Sequence, residues 1–220
     1  MSSLNDIAKE LLAKFDAKNK AREEAFQACR AATRSCSAAI KSIHRCQLEE
    51  AEKFTSNANH ILSKARELLK DHPDVRHAGF FDDAEVEYAE ARNVYAIIVK
   101  HEILMPDEIG VDLINYLSAL GDVTGELRRH VLDLIRSGKP QDGEFYLETM
   151  EEIFYLLMLF DYPEAVTRGL RRKSDLARSM IERTRGDLTN AIEMGRVEAS
   201  LRRFEDKIKE PDFRSLGHEI

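Results

Sequence analysis

The sequence has no tryptophan, and only three cysteines, five prolines and ten glycines in 220 residues. So few glycines and prolines exclude folds that turn the chain at short intervals, β-sandwiches and α/β sheets among them. Cys29, Cys36 and Cys46 are odd in number and match no zinc-ligand spacing, so they read as reduced thiols of a cytosolic protein. No stretch reaches the ~18 uncharged apolar residues of a membrane span. The densest apolar run, Ile153 to Phe160, is short and flanked by acids. The N-terminus lacks the apolar run of a signal peptide. A soluble, cytoplasmic protein without membrane contact is expected. Basic residues number 33 against 40 acidic, a net charge of −7, and such an average speaks against nucleic acid.

What is present is helix-forming sequence, 43% hydrophobic and 33% charged. Residues 1–72 contain neither proline nor glycine, which predicts one helix from about Leu4 into the Cys46 region and a second to about Asp71. His72-Pro73-Asp74 is the first stop. Asp82-Asp83 is placed to cap a third helix running to about Leu104. Residues Asp107 to Ser137 follow, divided near Gly110. A loop at 138–143 precedes a helix over Glu144 to Phe160. The last helical stretch runs from Glu164 to about Lys207, with Gly169, Gly186 and Gly195 as points where it can bend. The pattern predicts an all-α protein of about seven helices, one helical domain over residues 1–210 and a flexible tail over 211–220.

Charge is unevenly distributed. Residues 1–46 hold nine basic and five acidic side chains, residues 164–203 ten and six, and residues 71–163 seven and twenty. An acidic centre at net −13 lies between two basic arms at net +4 each. Within the centre, Glu87 and Glu90 lie three apart on one helical face and extend the line of Val94 and Ile97 toward His101. Asp122 and Glu126 lie four apart beside the apolar stripe Leu117, Leu120, Thr124, Leu127 and Val131. Gly121 and Gly125 accompany them at the same spacing. Glycine costs ~1 kcal/mol inside a helix relative to alanine, so a backbone or a ligand is expected to come close there. Inward carboxylates repel one another, and a hard divalent cation offsets that cost. Four such groups on two helices suit Mg²⁺ or Mn²⁺, with Arg129 placed to hold a phosphate. Spacing alone equally suits two amphipathic helices with acidic flanks. No histidine follows a glutamate by three residues, and His44, His60 and His101 read as core or surface residues.

The stretch Gly121-Asp122-Val123-Thr124-Gly125-Glu126-Leu127-Arg128-Arg129 resembles the Asp-Leu-Thr-Gly-Glu-Leu-Met-Arg segment of the TRAX branch of the translin/TRAX family. Glu87-Tyr88-Ala89-Glu90-Ala91 is similar to the Glu-Tyr-Val-Glu-Ala of the same branch, in the same order and at a similar separation. Weaker similarity runs from Arg34 through Ile43-His44-Arg45, similar to a Leu-His-Arg there, and through the last helix. The polar insert that precedes the second motif in TRAX is absent, as in a compact prokaryotic homologue. The resemblance implies an all-α translin-type superhelical domain that assembles into an octameric barrel, here a homo-oligomer. It implies a Mg²⁺-dependent (or Mn²⁺-dependent) endoribonuclease of the catalytic branch, cleaving single-stranded RNA inside that barrel. Its metal-binding and catalytic residues would be Glu87, Glu90, Asp122 and Glu126. The alternative is a non-catalytic oligomer of the translin type that binds RNA or single-stranded DNA. Arg129 matches the arginine closing the motif, and Arg34, Lys41, Arg45 and Arg172 are candidates to track the nucleic-acid backbone. Leu147, Met150, Phe154, Leu157 and Met158 share a face that would serve either the core or assembly.

Overall fold

The computed structural model describes residues 3–209. The tail expected over 211–220 lies outside the described residues. Helix α1 (Leu4–His44) opens with a reciprocal cap between Ser3 and Asp6, and α2 (Leu48–Leu68) returns along it. Each contributes alanines at seven-residue spacing to the core: Ala25, Ala32 and Ala39 from α1, and Ala51, Ala58 and Ala65 from α2. Side chains this small let two helices approach closely along a seam of that period.

The chain continues through α3 (Pro73–Arg76) into α4 (Phe80–Tyr95), α5 (Pro106–Ile109) and α6 (Leu113–Arg136). A 3-10 turn (Pro140–Gly143) leads to α7 (Glu144–Met158), α8 (Glu164–Thr167) and α9 (Leu170–Lys209). Helix α6 is the centre, packed against α4, α7 and α9, while α1 lies on α4. Arg128 ties α6 to α9, donating to Thr184 at 3.1 Å and pairing with Asp187 at 2.8 Å. No strand occurs among the described residues, and none of their helices is long and apolar enough to cross a membrane.

Three local expectations are corrected. Asp82 and Asp83 do not cap α4: it begins two residues earlier, after Gly79 at φ 97°, and both acids occupy its first turn. The third helix does not stay α-helical to Leu104. It widens into a π-helical turn (Ala96–Lys100), and His101 adopts a left-handed conformation, so His101 leaves the face it was expected to continue. Gly169 does break the last stretch, at φ 88°, but Gly186 and Gly195 sit within an unbroken α9. Cys29 and Cys36 are buried, and burial pushes both thiols up to about 12, as expected of packing residues.

Candidate functional site

Helices α4 and α6 pack side by side, and their acidic motifs face each other across the seam. Val94 and Ile97 anchor one stripe in the core, Leu120, Thr124, Leu127 and Val131 the other. Each glutamate or aspartate sits one step round its helix from those stripes and is half-buried. Burial, followed by the neighbouring Asp122 carboxylate, raises the Glu87 carboxyl above its usual range. Glu90 is pushed up to about 8, by burial first and then by Asp122, Glu87 and Glu126. Lys173 offsets part of this in both cases. Among the described residues neither Glu87 nor Glu90 has a hydrogen-bond or ion-pair partner, yet their oxygens are not sealed from solvent.

The other two acids are supported from distant parts of the chain. Lys173, on α9, donates to both carboxylate oxygens of Asp122. Gly121 makes that approach possible, since a Cβ there would lie 2.9 Å from the Lys173 Cβ. Gly125 is different: a Cβ would meet nothing within 4 Å, so the space beside Asp122 and Glu126 is open. Of the two expected close approaches, the protein itself makes only the one at Gly121. Glu126 lies 2.6 Å from Nε2 of His44, the last residue of α1, and 3.6 Å from Arg129. The His44 hydrogen bond, against the opposing effect of burial, holds the Glu126 carboxyl below its usual range.

The four expected ligands therefore share one face, though no three of them bring oxygens within 4.8 Å of one another. The trio that does, among the described residues, is Asp82, Glu85 and Asp112. That spacing could admit a metal ion. In this chain guanidiniums stand there: Arg66 at 2.7 Å and Arg76 at 3.2 Å from Glu85, Arg76 and Arg168 each at 3.0 Å from Asp82, Arg76 at 3.5 Å from Asp112. A hollow of about 300 Å³ lies elsewhere, lined by Ser56, Tyr88, Arg92 and Lys100 among others, and includes none of the four carboxylates.

The candidate backbone-tracking residues are all exposed. Arg34 and Lys41 share one face of α1, Arg45 follows directly after that helix, and Arg172 neighbours Lys173 on α9. Among the described residues none of these four arginines and lysines has an ion-pair partner. Sequence reasoning missed Lys173 and His44. The only signals for them were the Arg171-Arg172-Lys173 run and the Ile43-His44-Arg45 similarity.

No family model matches the chain. An uncharacterised protein of Methanocaldococcus jannaschii is 32% identical over 193 residues, which covers 86% of this chain and 84% of that protein. Among solved structures, AfC3PO is 30% identical with a TM-score of 0.78, covering 86% of this chain and 98% of its own. AfC3PO in complex with duplex RNA gives a TM-score of 0.76 over the same shares. Apo-NeC3PO is alike in fold, with a TM-score of 0.79 at 21% identity over 87% of this chain and 100% of that one.

Proposed function

The chain belongs to the translin/TRAX-like family, and from that premise we propose that it is a metal-dependent endoribonuclease acting on single-stranded RNA. The observation that carries this reading is the gathering of Glu87, Glu90, Asp122 and Glu126 on one solvent-facing seam. The donor set fits a hard divalent cation: it is all carboxylate oxygen, and a cation would offset both the burial that first raises the Glu87 and Glu90 carboxyls and the neighbouring carboxylates that add to it. These four residues would hold Mg²⁺ or Mn²⁺. Such an ion, when bound, supplies Lewis-acid polarisation of a phosphodiester and a nucleophilic water at neutral pH.

The chain's own side chains do the rest. Lys173 and Arg129 place positive charge on either side of the carboxylates, where a backbone phosphate would lie. Arg34, Lys41, Arg45 and Arg172, exposed and unpaired, would follow the strand beyond the site. The open space at Gly125 admits the sugar-phosphate backbone. RNA binding also has support from AfC3PO, solved with duplex RNA. One observation favours the translin-type alternative of binding without cleavage: Lys173 already neutralises Asp122.

The test is a labelled single-stranded RNA, and its duplex, incubated with the protein in Mg²⁺, in Mn²⁺ and in EDTA. Cleavage of the single strand with either ion and none in EDTA is the expected result. Cleavage that ignores EDTA would remove the metal from the reading. Salt-sensitive binding with no product in any condition would establish the translin-type alternative.

We further propose assembly into the family's octameric barrel. The α7 face expected to serve either the core or assembly is largely used internally, since Leu147, Met150 and Leu157 are buried, leaving Met158 exposed. Apolar residues lie bare elsewhere. None of residues 4–24 of α1 and 189–209 of α9 is buried. Met194, Val197, Leu201, Phe204 and Ile208 alternate three and four apart along α9, the spacing of a helix-pairing seam, each more than half exposed. Leu4, Ile7, Leu11 and Phe15 form a matching face on α1. Light scattering at micromolar concentration should give several times the 25.2 kDa protomer mass. A Val197→Asp/Leu201→Asp variant should shift it toward the protomer. A wild-type protomer mass would sink the barrel.

A further inference from the structure

His44 is spent on nothing but Glu126. Its side chain is 3% exposed, its Nε2 lies 2.6 Å from Glu126 Oε2, and its Nδ1 is buried with no partner among the described residues. An ionised carboxylate only accepts, so Nε2 carries the hydrogen and donates it. Nδ1 is then a bare lone pair. A hydrogen there would be a buried donor with nothing to receive it, a costlier defect than an idle acceptor. This fixes the ring in one tautomer. It also excludes two roles. A ring whose second nitrogen is sealed and unpartnered has no route to pass a proton onward, so it is not a relay. A ring whose Nε2 is engaged as a donor is not itself a metal ligand, because ligation requires that nitrogen bare.

The surroundings hold the ring in place. Its centroid stands 6.3 Å from that of His130, which packs edge-on against Tyr146 at 4.6 Å. His44 closes α1, so a helix rigidly packed on α2 and α4 delivers the donor to α6. Asp122 has Lys173 as its support, and Glu87 and Glu90 have none among the described residues. Glu126 is held by the buried His44 ring and, at 3.6 Å, by Arg129, both against Oε2, so Oε1 has no partner among the described residues.

We infer that His44 is the positioning residue of the metal site, orienting Glu126 for ligation through the Nε2 hydrogen bond and thereby setting the affinity for the divalent ion. The inference rests on the metal reading above. Outer-shell donors of this kind alter metal affinity by about 10- to 100-fold when removed.

The experiment is a Mn²⁺ titration of the RNA-free protein, read by the electron-spin signal of unbound Mn²⁺, on wild type, His44→Gln and His44→Asn. A glutamine amide reaches the position of Nε2, while an asparagine amide reaches only that of Nδ1. His44→Gln is expected to bind Mn²⁺ within about threefold of wild type, and His44→Asn about 10- to 100-fold more weakly. A thermal melt of each variant separates folding from affinity. If both variants lose stability but bind Mn²⁺ as wild type does, His44 is a packing residue and the inference is overturned. If both weaken equally, the Nε2 bond is not the cause and it is overturned likewise. Absence of Mn²⁺ binding by wild type would remove the metal reading itself, and this inference with it.

Discussion

Glu90→Gln should abolish metal-dependent cleavage while making the metal-free protein more stable at neutral and alkaline pH. Loss of a ligand that stabilises transition-state charge by several kcal/mol corresponds to a rate loss of roughly 10²- to 10⁴-fold. The stability change has the opposite sign. Burial and three neighbouring carboxylates push Glu90 up to about 8, against 4.5 for the free side chain. Between those values the folded protein keeps a proton that the unfolded chain has released. Stability from this group therefore falls as pH rises through that window and is fully lost above about 8. Glutamine carries no such proton, so the variant's advantage should be nil below pH 4.5 and greatest above pH 8. Denaturant unfolding at pH 4, 6 and 8.5 measures it. The same proton predicts that Mn²⁺ binding at pH 7 releases about one proton from wild type and fewer from Glu90→Gln. Calorimetry in two buffers of different ionisation enthalpy reads this directly. A variant less stable than wild type at pH 8.5 would show that Glu90 is not held under electrostatic strain.

Most of the helices, and the acidic half of the site, were legible because both depend on short-range spacing. Glu87 and Glu90, or Asp122 and Glu126, reveal a shared face from three- and four-residue intervals that any helix imposes. Lys173 and His44 were not legible because they arrive from 51 and 82 residues away, and only the packing of α9 on α6 and of α1 on α4 brings them in. Arg172 was read as a backbone-tracking residue, and it is its neighbour Lys173 that reaches Asp122. A helix turns about 100° per residue, so neighbours in a basic run face different ways, and a run of three cations does not say which one points inward. The break between α1 and α2 falls in the Cys46 region, where the first helix was expected to end. The chain turns there at Cys46, at φ 58°, with neither glycine nor proline to announce it. The π-helical turn after Tyr95 is a slip in backbone hydrogen bonding, which leaves no mark in hydrophobic spacing.

Glu85→Ala should cost about 3–5 kcal/mol of folding stability, the usual penalty for breaking a buried ion pair by removing one partner. Glu85 is 1% exposed and accepts from Arg66 at 2.7 Å, Arg76 at 3.2 Å and Asn115 at 2.9 Å. Its neighbour Asp82 accepts from Arg76, Arg168 and Asn115. Burial opposes its ionisation, but the hydrogen bonds from Asn115 and Arg76 outweigh that and hold its carboxyl below the usual range. The Arg76 guanidinium also lies 3.9 Å from the centre of the Phe81 ring. Three carboxylates and three guanidiniums balance in charge, so the cluster needs no cation to be stable. A metal would have to displace Arg76 from between two buried acids. This brace fixes the start of α4 to α3 and α6, five residues before Glu90, and so sets the register in which the acidic motifs meet. Removing Glu85 leaves three guanidiniums against two carboxylates, although Arg76 keeps Asp82 and Asp112 as partners. Adding Arg76→Leu to Glu85→Ala should recover part of the loss, because it restores the balance of charge in the cluster while Asp82 keeps Arg168 and Asn115. Chemical denaturation of the two variants measures both effects. The competing view, a metal ion seated at Asp82, Glu85 and Asp112, predicts that Mn²⁺ still raises the melting temperature of a protein lacking Glu90 and Glu126. In a Glu90→Gln/Glu126→Gln background no such rise is expected. A clear rise there would assign the metal to the brace instead.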